Sequence, residues 1–257
     1  MPVFPLHEGT FTVDDSKKFI PFTEGLDDIK DRPASLLVDI VPFLIKTKND
    51  LIVIDPGLGH ITDSGEYQVR LNISNAGFSP DSVTKVLLSH LHKDHAGGIA
   101  YGIESNYQLM FPNAEYFAQQ AELDFALQKT SNSYEQEKLK FLLSTKNLTF
   151  LKGDGNITNE IHYEVINGHT PFHQAFLISD GVNKYYYAGD VLPQPQQLQR
   201  KFIAKYDYDS KAAAEKRIEI GKAAAQNNWQ LLFFHWSALS IGSVTYENGM
   251  FKVNKIL

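Results

Sequence analysis

Three histidines and an aspartate fall within six residues of this chain, His90-Leu91-His92-Lys93-Asp94-His95. The apolar, β-branched run Val83-Thr84-Lys85-Val86-Leu87-Leu88 comes just before them and reads as a buried strand. Ala96-Gly97-Gly98-Ile99 comes just after, and its glycines permit a tight turn. The donors are thus expected on a loop at a strand end, aimed into a cleft. Nitrogen and oxygen donors at this density suit zinc or another borderline divalent cation. A chance cluster of surface histidines does not explain the partners that recur downstream.

Four further segments share one design, an apolar strand that gives way to a metal-type donor. Ile52-Val53-Ile54 runs into Asp55-Pro56-Gly57, and Val165-Ile166-Asn167 into Gly168-His169-Thr170-Pro171-Phe172-His173. Tyr185-Tyr186-Tyr187-Ala188 runs into Gly189-Asp190, and Leu232-Phe233-Phe234 into His235-Trp236. Taken singly, Gly189-Asp190 reads equally as a turn, and His235 as a satisfied core histidine. Taken together, side-by-side strands would gather His90, His92, Asp94, His95, His169, Asp190 and His235 at one edge, enough for two ions. His7, His60 and His162 fall outside the pattern and read as ordinary.

The rest of the chain sets the frame. Val41–Lys46 and Leu51–Asp55 predict a hairpin about Lys48-Asn49-Asp50. Glu66–Ala76 predicts a helix with Gly77 as its cap. Ala114–Ala118 predicts a strand, followed by helices over Gln119–Gln128 and Ser133–Leu143. The second helix opens on Ser133-Tyr134-Glu135-Gln136, a capping-box pattern. Strands are expected at Leu148–Leu151, Ile161–Ile166, Ala175–Ile178, Lys184–Ala188 and Gln230–Phe234, and a long helix over Asp209–Asn227. A type I′ hairpin is expected about Asn248-Gly249. Hairpins outnumber strict strand–helix alternation, so mostly antiparallel or mixed sheets with outer helices are expected.

With 257 residues and no linker or repeat, one domain spanning 1–257 is expected. The net charge of −6 argues against a nucleic-acid partner. The absence of cysteine removes disulfides, thiolate ligands and a cysteine nucleophile. No leader pattern and no membrane-length apolar run is read, so a cytoplasmic protein without a membrane partner is expected. Nothing in the sequence sets an oligomeric state beyond the common occurrence of symmetric homodimers.

The motif set, in this order from Val41 to Trp236, resembles the metallo-β-lactamase superfamily, His90-x-His92-x-Asp94-His95 most specifically. The resemblance implies an α/β fold, a four-layer αβ/βα sandwich of two mixed sheets flanked by helices. It implies that His90, His92 and His169 hold one metal, that Asp94, His95 and His235 hold a second, and that Asp190 bridges them. Asp55 and His173 would orient these residues without binding metal. Within the superfamily the chain looks most like the branch of methyl parathion hydrolase and the acyl-homoserine lactonases. Phe111-Pro112-Asn113-Ala114-Glu115 and the Asp209–Arg217 stretch resemble the methyl parathion hydrolase side. Phe172 replaces the second glycine of the family's Gly-His-Thr-Pro-Gly-His. The tyrosine that lactonases carry soon after the bridging aspartate is absent, Val191-Leu192-Pro193 standing there, with Tyr206 and Tyr208 later.

The function so implied is a metal-dependent hydrolase, zinc being the first expectation and iron or manganese the alternatives. Two adjacent cations lower the pKa of a shared water to about 7, making hydroxide available for attack on a small-molecule ester, lactone or phosphotriester. Asp94 and Asp190 are the candidate catalytic carboxylates, and Phe172, Phe202 and Trp236 the candidate pocket walls. A single-iron thiol or persulfide dioxygenase of the same fold is the alternative.

Overall fold

The computed structural model describes residues 1–199 and 202–256. Among them, two large sheets stack face to face. The first holds β1 (Val3–Pro5), β5 (Phe43–Lys46), β6 (Leu51–Ile54), β7 (Lys85–Leu87), β10 (Glu115–Gln119) and β11 (Leu148–Leu151), in that spatial order. Its β1-β5-β6 part is antiparallel, whereas β6, β7, β10 and β11 run parallel. The second sheet lines up β12 (Gly155–Thr158), β13 (Ile161–Val165), β14 (Gln174–Ser179), β15 (Lys184–Tyr187), β16 (Gln230–Leu232), β17 (Ile241–Glu247) and β18 (Met250–Lys255). All its neighbours are antiparallel except β15 and β16. Both sheets are therefore mixed.

Alternation along the strands builds three apolar layers. Ile52, Ile54, Leu87 and Phe117 of the first sheet meet Phe176, Ile178, Tyr185, Tyr187 and Leu232 of the second in the central core. Leu51, Val53, Val86 and Tyr116 point the other way. They pack on α1 (Gln68–Asn75), α3 (Gln120–Gln128) and α4 (Gln136–Ser144). Tyr186 and Leu231 face outward from the second sheet onto Ile220 and Ala224 of α6 (Ser210–Asn227), beside Leu198 of α5 (Gln196–Gln199). The order helices, sheet, sheet, helix is the αβ/βα sandwich the sequence implied. No helix of the described residues is long and apolar enough to cross a membrane.

Two small sheets lie outside the sandwich. One joins β2 (Gly9–Val13), β3 (Phe19–Pro21) and β4 (Leu36–Ile40); the other pairs β8 (Ala100–Tyr101) with β9 (Gln108–Leu109). The sequence reading contained none of these strands, nor β1 and β12. They are short, and several carry polar or turn residues that blur a period of two. The expected capping box at Ser133 does not form either. The helix begins at Gln136 behind Glu135, which makes no side-chain cap. The Ser133 carbonyl instead accepts from the Lys93 amide at 2.8 Å, so this turn braces α2 (Lys93–Ala96). The other expected elements form with ends shifted by a few residues. Asp209 caps α6 by accepting from the Ala212 amide, and Asn248 and Gly249 adopt positive φ at the final hairpin.

Strand direction places the site. β6 and β7 run parallel and end side by side, while β13, β15 and β16 share one direction in the other sheet. Their carboxyl ends release Asp55, the His90 loop, His169, Asp190 and His235 to one edge. The 56–59 and 97–98 turns pack backbone to backbone there. A Cβ on Gly98 would lie 2.2 Å from the Pro56 carbonyl oxygen, and one on Gly97 2.5 Å from that of Leu58. Gly98→Ala is expected to destabilise the fold by ~1–3 kcal/mol, because rigid backbone must move apart. A chemical denaturation midpoint unchanged from the parent protein would contradict this packing.

Candidate metal centre

Each donor is held by a turn with a specific backbone demand. Asp55 has φ of 46°, and its own amide bonds the Leu87 carbonyl, which locks the end of β6 to the end of β7. Gln174, at the start of β14, donates its amide to the Ser89 carbonyl and its side chain to the Leu88 carbonyl, fixing the His90 loop to the second sheet. Asp190 follows Gly189, whose φ is 47°; a Cβ there would lie 2.6 Å from His173 Nε2 and 2.7 Å from Ser89 Oγ. Glycine is therefore required for the aspartate to enter the cleft.

Two donor groups result. His90, His92 and His169 form one, and Asp94, His95, Asp190 and His235 the other, each with its ligand-type atoms within 4.8 Å of one another. In the first, His92 Nδ1 lies 3.1 Å from His90 Nε2 and 2.9 Å from His169 Nε2. In the second, Asp190 Oδ1 lies 3.0 Å from His95 Nε2 and 3.1 Å from His235 Nε2, and Asp94 Oδ2 lies 3.5 Å from His235 Nε2. Asp190 also reaches back, with Oδ2 at 3.4 Å from His169 Nε2. It thus stands between the groups.

The hydrogen bonds behind the rings settle which nitrogens carry protons. Ser89 gives its hydroxyl proton to Asp55, so its oxygen accepts from His90 Nδ1 at 3.1 Å, and His90 Nε2 is left with a lone pair. His169 Nδ1 donates to Asp207 at 2.9 Å, His95 Nδ1 to Asp55 at 2.8 Å, and His235 Nδ1 to the Asp39 carbonyl at 2.7 Å. Each of these rings therefore turns its Nε2 into the cleft. His92 Nδ1 can donate to only one of the two lone pairs facing it. His95 Nε2 and Asp190 Oδ1 are buried and have no hydrogen-bond partner despite lying 3.0 Å apart. Converging, unsatisfied nitrogen and oxygen donors without sulfur fit divalent cations of the zinc type.

The same arrangement shifts the proton equilibria in two directions. Burial, reinforced by neighbouring imidazoles, holds His90, His92 and His173 well below the usual histidine range. Burial also opposes charge on His95 and His235, but the Asp190 and Asp94 carboxylates outweigh it and raise both. Burial opposes the Asp190 charge as well, and His95, His235 and His169 overcome it, keeping Asp190 well below the carboxylate range. One half of the cleft thus favours neutral imidazole ligands, and the other is built around an anion.

Asp55 and His173 stand behind these donors. Asp55 is buried and accepts from His95, Ser89 and Tyr187, while His173 Nε2 accepts from the Asp190 amide at 3.2 Å. The expected wall residues scatter. Phe172 is 37% exposed and meets Phe125 edge-on at 6.3 Å. Phe202 lies on the surface beside the Arg217 guanidinium, and half-buried Trp236 packs on the apolar cluster under α6. Tyr206, distant in sequence, comes to 5.9 Å from the His169 ring. Burial and the Asp190 and Asp207 charges push its hydroxyl up to about 12.

Sequence reasoning missed Asp39, Ser89, Asp207, Arg217 and Tyr187 as parts of the centre. Arg217, fully buried on α6, bonds Asp207 at 3.0 Å and also the carbonyls of Val191 and Phe202. It joins the Asp190 turn to the support of His169. An arginine in an alanine-rich helix looks like a solvated charge, so no local signal marked it. Only Tyr187 had one, as an inward strand position just before Gly189-Asp190. Asp207→Asn is expected to lower affinity for one bound cation ~10–100-fold by weakening the hold on His169; chelator competition at equilibrium measures this, and unaltered affinity would exclude the role.

Comparison with known proteins shows the family and the fold. The sequence profile of the Metallo-beta-lactamase superfamily matches residues 38–225. An N-acyl homoserine lactonase of Bacillus cereus is 32% identical over 114 residues, covering 44% of this chain and 40% of the relative. The N-acyl homoserine lactonase AttM of Agrobacterium fabrum is 31% identical over 117 residues, 41% of this chain and 40% of the relative. The matched part thus spans about two-fifths of these relatives' length. Among solved structures, AidC, a dizinc quorum-quenching lactonase with bound product, superimposes with a TM-score of 0.77 at 22% identity, covering 99% of this chain and 94% of the other. The hydrolase AbOPH gives 0.78 at 23%, with the same coverage. At such identities these two likenesses show the fold.

Proposed function

The chain belongs to the metallo-beta-lactamase superfamily, and from that premise we propose that it is a hydrolase of two divalent cations, zinc first among them, acting on an ester, lactone or phosphotriester. The observation that carries the reading is Asp190, placed between three converging imidazoles on one side and Asp94, His95 and His235 on the other. The lactonase relatives and the dizinc neighbour support it. A single-ion dioxygenase would leave the second, equally complete donor group without a purpose.

In this reading His90, His92 and His169 would hold one cation and Asp94, His95 and His235 the other, with Asp190 shared between them. When bound, such cations make hydroxide available near neutral pH and polarise the attacked carbonyl or phosphoryl oxygen. The chain supplies position and protons. Asp55, Asp207 and the Asp39 carbonyl take the Nδ1 protons of three imidazoles, so Nε2 is the nitrogen each would present to a cation. Asp94 is the more open of the two carboxylates, with its side chain 14% exposed against 9% for Asp190, so it can take the proton of the attacking water. The ring of Tyr206 stands against that of His169, 5.9 Å away.

Elemental analysis of protein purified without added metal tests the reading. About two zinc-type ions per chain are expected, and about one iron per chain would instead favour oxygen-dependent thiol chemistry. Asp190→Asn is expected to weaken cation binding by at least about tenfold and to lower hydrolysis with it. Full activity at full occupancy in that variant would overturn the bridging role.

A further inference from the structure

Glu122 is a carboxylate with no part in the chemistry above, yet it is almost wholly buried, directly behind the three-histidine group. It lies in the first turn of α3, and its Oε2 accepts from the Thr170 hydroxyl at 2.7 Å. Thr170 follows His169. The backbone amides of Leu91, between His90 and His92, and of Phe172, beyond Thr170, both favour its charged form. Its other oxygen, Oε1, is buried without a hydrogen-bond partner. Tyr134 shares this neighbourhood, with its ring 5.0 Å from that of His92 and its hydroxyl raised by burial and by the Glu122 charge.

A carboxylate is an expensive group to enclose, and burial pushes Glu122 up to about 7. A threonine hydroxyl alone is a poor return for that cost, since a neutral amide could accept the same bond. The placement has a different consequence. The His90-x-His92 turn leaves the first sheet, and the His169 turn leaves the second. Gln174 ties the base of the first turn to the second sheet, and Glu122 adds a second link: its carboxylate takes the Thr170 hydroxyl of one turn, and the Leu91 amide of the other lies close enough to favour its charge.

We propose that Glu122 is a positioning residue for the three-histidine group, clamping the His169 turn through Thr170 against the His90–His92 turn so that the three ring nitrogens converge. The inference rests on the metal-centre reading only for what the convergence serves. The clamp itself is a property of the metal-free fold.

Two measurements separate these levels. Amide hydrogen exchange in the metal-free protein is compared for the parent, Glu122→Ala, Thr170→Val and Thr170→Ser. Faster exchange confined to residues 90–93 and 168–173 is expected in the first two variants, with Thr170→Ser close to the parent. Zinc is then titrated against a competing chelator. One ion per chain is expected to weaken ~10–100-fold in Glu122→Ala and Thr170→Val while the other is retained. Parental exchange and parental zinc affinity in both variants would overturn the proposal. So would a general rise in exchange across the sandwich with both ions weakened equally, which marks a merely structural residue. A parent protein that binds no zinc, but whose turns loosen as described, would defeat the proposed function and leave the clamp standing.

Discussion

The carboxylate of Asp55 accepts four hydrogen bonds in the dry floor of the cleft. They come from the Ser89 amide at 2.7 Å, the Ser89 hydroxyl, the Tyr187 hydroxyl at 2.6 Å and His95 Nδ1 at 2.8 Å. These donors belong to the end of β7, to α2 and to β15, so one side chain ties the first sheet to the second at the edge where the donors gather. A buried carboxylate costs least when its lone pairs are satisfied. The arrangement is therefore mutual: Asp55 orders its partners, and their hydrogen bonds make its burial affordable. The φ of 46° at Asp55 is the local strain that lets the side chain turn inward from the strand.

The tautomers of the site follow from that floor. Because Ser89 spends its proton on Asp55, it can only accept from His90, and because Asp55 takes the Nδ1 proton of His95, that ring faces the cleft with Nε2. Asp207 and the Asp39 carbonyl do the same for His169 and His235 from opposite sides. Asp207 is itself held by Arg217 of α6, and Asp39 sits in β4 of the small N-terminal sheet, where Thr10 and the Ser237 amide bind its carboxylate. The first sheet, α6 and the small N-terminal sheet thus each reach the centre through the hydrogen-bond partner of an imidazole.

Much of this was legible in the sequence where a local rule is strong. The unbroken apolar and aromatic runs Leu51–Ile54 and Tyr185–Tyr187 give the strands, and the donor after each strand is read directly from the chain, but runs without alternation do not say which residues face inward. The N-terminal sheet was not legible, because its short strands gain their stability from pairing rather than from pattern. Ser133 illustrates a local signal overruled: its capping pattern is sound, but the turn is occupied in bracing α2 through Lys93. Trp236 illustrates adjacency misleading, since the residue after a donor points to the opposite side of the strand end and packs under α6.

By itself the sequence determined the kinds of donor, their loops and their order along the chain, since these depend on spacing and strand periodicity, which are local. Only the tertiary structure decided which donors share a group, that Asp190 stands between the groups, and which partner orients each imidazole. Those relations join residues far apart in the chain, as Asp55 with Tyr187 and Asp39 with His235. They arise from the stacking of two sheets and from the hydrogen bonds that buried polar groups make across it. Neither leaves a mark on the residues next to it in sequence.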